Sequence, residues 1–133
     1  WDLHTVDDGI LATLYDEVPR RDHSLLVAHF LGVDHAGHRY RPDHPQMEQK
    51  LRQMDGVLRR VAGLMREDDL LVVMGDHGMS AEGDHGGATP EEVAAALYLS
   101  SKRKLTLPER RLADFFASPV HREGSRYRQA DHR

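Results

Sequence analysis

The sequence predicts an α/β fold in which helices flank a mainly parallel central sheet, and three observations predict it. Two short, nearly continuous apolar runs, Ser24 to Gly32 and Leu70 to Met74, each lead into a glycine, as strands buried on both faces of a parallel sheet do. Between them Met47, Leu51, Met54, Leu58, Val61 and Met65 recur at spacings of four and three, the single apolar stripe of an amphipathic helix. Strand, helix, strand in that order is a βαβ unit. Close behind each run sits an Asp/His segment, DHAGH or GDHGM, and in such sheets ligands gather at the carboxyl ends of the strands.

Taken in order, Leu3, Val6, Ile10 and Leu14 have helical spacing, with Asp2 available as N-cap and Pro19 beyond the end, so residues 3 to 16 read as an amphipathic helix. A turn through Pro19 to Asp22 leads into the first strand. The DHAGH segment then reads as a loop with a tight turn at Gly37, followed by Pro42 and Pro45 and the long helix, residues 45 to 66. The second strand ends at Gly75. Thr89, Pro90 and Glu92 resemble a capping box, while VAAALYL suits either helix or strand; the expectation is a short turn at Glu91 and Glu92 and then a strand. Beyond Ser101 the periodicity fades, and the tail reads as a weak helix or disordered.

Composition narrows the function. The 133 residues are the size of one domain. Apolar residues are 39% and charged residues 30%, so surface and loop outweigh core. No apolar run approaches the roughly 18 to 20 residues of a membrane span, and WDLHTVDD lacks the basic start and apolar stretch of a signal peptide. Any targeting or anchoring segment is therefore expected outside this chain. With no cysteine, disulfides and thiolate metal sites are excluded. Net charge is -4, yet residues 101 to 133 hold nine of eighteen basic and four of twenty-two acidic residues. An acidic body argues against a nucleic-acid surface and favours carboxylates offset by bound cations. The basic tail, including SKRK and PERR, reads as a solvated charge run.

Ten histidines are the anomaly, and His35, His38, His77 and His85 fall in three short motifs, DHAGH, GDHGM and GDHGG. Asp34 and His38 lie four apart, so carboxylate and imidazole can converge on one cation. Asp76 and His77 are adjacent and would point apart in an extended segment; a bend aided by Gly75 and Gly78 lets both bind. His85 follows in a flexible glycine-rich loop. Carboxylate and imidazole together suit zinc first and manganese second, whereas calcium and magnesium normally ask for oxygen alone. Five ligands exceed one tetrahedral site and fall short of two closed ones, which reads as a two-metal site with members missing. Metal pairs of this kind serve displacement at phosphate esters.

The order DHAGH, GDHGM, GDHGG resembles the alkaline phosphatase superfamily, which includes nucleotide pyrophosphatase/phosphodiesterases and the GPI-anchor ethanolamine phosphate transferases. The longer stretches WDLHTVDDGI, AHFLGVDHAGHRYRPDHPQMEQKLRQMD and LLVVMGDHGMSAEGDHGG look like the transferases. The resemblance implies an alkaline-phosphatase-like fold, with residues 1–100 the C-terminal half of a catalytic domain and 101–133 a divergent basic tail. It implies that Asp34, His38 and His85 hold one zinc and Asp76 and His77 the other, two per complete site. A threonine nucleophile and one further aspartate are expected in a missing N-terminal part. The implied reaction moves phosphoethanolamine from phosphatidylethanolamine to a mannose of the GPI precursor. The implied setting is the lumenal side of the endoplasmic reticulum membrane, with membrane spans outside this chain and a small membrane subunit as partner.

Bland readings stand beside these. A lone Asp34 or Asp76 is ordinarily a turn or cap residue; it is the joint pattern that makes them ligands. His35 and Asp84 suit an outer shell or a solvated loop equally, Asp55 reads as a helix-surface carboxylate, and His4, His23, His29, His44, His121 and His132 as ordinary histidines. The functional alternatives are a hydrolase of the same superfamily and a truncated, non-catalytic zinc-binding remnant.

Overall fold

The computed structural model describes residues 2–105, and its elements run α1 (Thr5–Glu17), α2 (Gly32–Tyr40), α3 (Pro45–Leu64), β1 (Leu70–Met74), α4 (Pro90–Val93) and β2 (Leu97–Ser101). The mixed α/β class is the predicted one. The reading of the tail as weak helix or disordered falls, past residue 105, outside the described residues.

At the start of α1, Asp2 accepts the amides of His4 at 2.8 Å and Thr5 at 3.2 Å, and also the Thr5 hydroxyl. These bonds satisfy donors that a first helical turn leaves free. α3 begins at Pro45, whose missing N–H costs nothing there, with His44 Nδ1 accepting the Gln46 amide at 3.1 Å. Its buried line is Met47, Lys50, Val57 and Val61, rotated from the expected stripe so that Leu51 is 51% exposed. The core joins Leu14 of α1 to Val57, Val61 and Met65, with Ile10, Tyr15, Phe30 and Leu71 against them. α1 and α2 both pack on α3.

Three expectations are corrected. Residues 25–31 form no strand: among the described residues the ladder joins β1 only to β2, so no strand pairs with this run, and Leu25 and Val27 are 80% and 75% exposed. Second, β1 pairs with β2 antiparallel, from Leu70↔Ser101 to Met74↔Leu97, rather than in a parallel unit with residues 24–32; antiparallel edge strands are common on α/β sheets. β1 alternates instead of being buried on both faces, with Leu71 and Val73 half-buried and Leu70, Val72 and Met74 open. Third, DHAGH is not a loop but the body of α2. The ambiguous segment divides as expected: Thr89 and Glu92 make a full capping box on the one-turn α4, and the strand β2 follows.

Candidate metal centre

Because α2 is helical, Asp34 and His38 stand one turn apart on one face, with His38 Nε2 3.4 Å from Asp34 Oδ1. The segment between β1 and β2 leaves and returns at the Met74/Leu97 end of the ladder and carries the other two motifs. It is held against α2 by close backbone approach. A Cβ on Gly37 would lie 2.1 Å from Met79 Sδ, and one on Gly83 would lie 2.3 Å from the Gly37 carbonyl oxygen. Gly83 also sits at φ +84°, a conformation glycine adopts at no steric cost. Gly37 therefore serves contact, not a turn. At the other end of the segment, Gly78 donates to the Glu92 carbonyl at 2.7 Å, tying it to α4.

These contacts bring His85 Nε2 to 3.2 Å from Asp34 Oδ1 and His77 Nε2 to 3.9 Å from the same atom. The His77 and His85 rings stack at 3.7 Å, and His38 lies 4.9 Å from His85 between ring centroids. Donor atoms of Asp34, His38 and His85 all fall within 4.8 Å of one another. Two donors about 2.0 to 2.1 Å from a tetrahedral ion stand about 3.3 Å apart, close to the 3.4 and 3.2 Å found from Asp34 Oδ1 to the two imidazoles. Asp34 Oδ1 is buried and has no hydrogen-bond partner. His77 Nδ1 is 2.7 Å from the Gly78 carbonyl, which can only accept, so Nδ1 carries a proton and, in the neutral ring, Nε2 is left with a lone pair toward the carboxylate. A buried carboxylate oxygen without a donor, faced by imidazole nitrogens, suits a cation among them.

Asp76 and His77 lie at a bend just past β1, where His77 Nε2 is 3.6 Å from Asp76 Oδ1. The expected bend thus exists, although Asp76 is 69% exposed and stands apart from the tighter group. His29, read as ordinary, has its Nε2 3.9 Å from Asp76 Oδ2; the signal was fold-dependent, since residues 29 and 76 have no sequence spacing to read. Asp84 Oδ1 accepts the His85 amide at 2.9 Å, and His35 Nδ1 contacts the Asp2 carbonyl at 3.0 Å, so both act on backbone. Asp55 pairs with Arg59 at 2.8 Å on the open face of α3, the surface role expected of it. A second group, Glu17, Asp22 and His23, is already offset by Arg20, which pairs with both carboxylates.

With this geometry in hand, likenesses to other proteins are specific. The family model of type I phosphodiesterase / nucleotide pyrophosphatase matches residues 2–117. The chain is 53% identical over 104 residues to "GPI ethanolamine phosphate transferase 3, catalytic subunit" of Mus musculus, covering 78% of this chain and 10% of that protein. The Homo sapiens protein of the same name is 53% identical over 100 residues, covering 75% and 9%. GPI ethanolamine phosphate transferase 3 of Saccharomyces cerevisiae is 39% identical over 104 residues, covering 77% and 10%. The chain thus spans about a tenth of the length of these curated relatives. No solved structure matches.

Proposed function

The chain belongs to the type I phosphodiesterase / nucleotide pyrophosphatase family, and from that premise we propose that it is the metal-ligand part of a phosphoethanolamine transferase of GPI-anchor assembly. The observation that carries the metal reading is Asp34 Oδ1, buried without a donor and faced by three imidazole nitrogens. In this reading Asp34, His38 and His85 hold one zinc and Asp76 and His77 the other, with manganese the second choice of metal. Such a pair supplies charge stabilisation to the attacking and leaving oxygens of a phosphoryl transfer. The protein's contribution is orientation: α2 fixes two ligands a turn apart, and the Gly78 carbonyl keeps His77 Nε2 aimed inward. The threonine nucleophile and a further aspartate are assigned to sequence outside this chain.

The names of the relatives support ethanolamine phosphate as the group moved and a GPI structure as its acceptor; in this reading the donor is phosphatidylethanolamine, the acceptor a mannose of the GPI precursor, and the setting the lumenal face of the endoplasmic reticulum membrane. Among the described residues no helix is long and apolar enough to cross a membrane; membrane association and a small membrane subunit as partner are part of the proposed reading. The test is transfer of labelled phosphoethanolamine to a mannosylated GPI precursor by the full-length protein. His85→Ala should cut transfer about a thousandfold or more, since metal charge stabilisation amounts to several kcal/mol. Release of free phosphoethanolamine without transfer would favour the hydrolase reading instead, which the family's own description keeps in play.

A further inference from the structure

Two strongly buried charges lie behind the ligand group. Asp7 on α1 is 1% exposed and Lys50 on α3 is 2% exposed, with Lys50 Nζ 3.2 Å from Asp7 Oδ2. A buried ion pair is weak evidence for stability, because well-packed apolar residues in its place often do as well; the pair therefore calls for a local explanation. Asp7 Oδ1 accepts the amide of Leu31 at 3.0 Å and of Gly32 at 3.1 Å. These are the leading amides of α2, whose N-cap, Leu31, supplies no side-chain acceptor of its own. The carboxylate thus meets otherwise free donors and the positive end of the helix dipole. Lys50 Nζ also donates to the Leu3 carbonyl at 2.6 Å and lies 3.1 Å from His4 Nδ1, so with Asp7 its three hydrogens have three partners. Gly32 is where the three helices meet: a Cβ there would lie 2.1 Å from Asp7 Oδ2 and 2.7 Å from Lys50 Nζ.

We propose that Asp7 is a positioning residue of the metal centre, acting through the oxygen that accepts the Leu31 and Gly32 amides, with Lys50 the counter-charge of its buried carboxylate. It fixes the N-terminal end of α2 and so the direction in which Asp34, two residues past Gly32, and His38, a turn later, face His85. The inference rests on the metal-ligand reading above. Its test is Co2+ titration of the full chain, followed by affinity and ligand-field absorption, with thermal unfolding alongside. Two double variants separate positioning from mere support. Asp7→Asn with Lys50→Met keeps an acceptor for the Leu31 and Gly32 amides and removes both charges; it should bind Co2+ with the wild-type spectrum. Asp7→Leu with Lys50→Met removes the acceptor and should weaken Co2+ binding about ten- to a hundredfold, with a changed spectrum. Should the leucine variant not fold, Gly32→Ala displaces the same end of α2 with the pair present and should show the same loss. A folded leucine or Gly32→Ala variant with wild-type affinity and spectrum overturns the proposal. Wild-type protein that binds no Co2+, or Asp34→Ala binding as tightly as wild type, overturns the metal reading and the proposal with it, and so marks a different failure.

Discussion

At the scale of single residues, the centre is built from groups that are poorly satisfied and groups that are very well satisfied. Asp34 Oδ1 lacks a donor, a situation that costs about 1 to 3 kcal/mol in an interior and that a cation would relieve. Asp2 is the opposite case. The Thr5 hydroxyl, followed by the amides of His4 and Thr5, holds its carboxyl at about 2, below the ordinary 3.8. A lowered folded-state value means that the group adds stability above pH 3.8, and that this is lost as pH falls through about 2. Protection of the first-turn amides of α1, taken relative to their intrinsic exchange rate, should therefore fall on acidification across that window, and in Asp2→Asn it should be low already at neutral pH and lose the acid dependence. Unchanged exchange in Asp2→Asn would contradict the capping role. The five proposed ligands were legible because Asp, His and glycine recur in three motifs. Asp7 and Lys50 were not, because a charge in a helix reads as surface. The available signal was Lys50 lying three residues past Met47 and seven before Val57, inside the arc that the fold buries.

Among elements, close contact between glycines takes the place of the loop turn that the sequence suggested. Gly37 reads as a turn residue, yet in α2 its bare Cα admits Met79 and Gly83, and this contact carries His85 onto Asp34. Gly37→Ala should leave α2 helical, since alanine favours helix over glycine by about 1 kcal/mol. It should nonetheless push the 79–83 segment away and weaken Zn2+ binding about tenfold or more, as loss of ligand support commonly does. Calorimetric titration showing undiminished affinity would contradict this account of how the segment is seated. The long helix, β1 and the capping box on α4 were legible from local pattern alone. The run 24–32 was not, because an apolar sequence states that a segment can be buried but not whether a neighbouring strand stands beside it. The same holds for the antiparallel sense of β1 and β2, since strand direction is a matter of connection and partner.

For the molecule as a whole, the helices and the ladder position one group of ligands and leave apolar side chains open, Leu25, Val27, Met74 and Leu97 among them. The family match spans 2–117, which corresponds to about a tenth of the length of the relatives, and the ligand geometry lies within this stretch. The measurement that tests the central claim most directly is zinc content of the purified chain after dialysis, beside Asp34→Ala and His77→Ala. The predicted result is one or more zinc per chain, with Asp34→Ala losing the ion shared with His38 and His85 and His77→Ala losing a different fraction. Absence of bound metal in the wild type, or equal content in all three proteins, would contradict the claim that these residues form a metal centre.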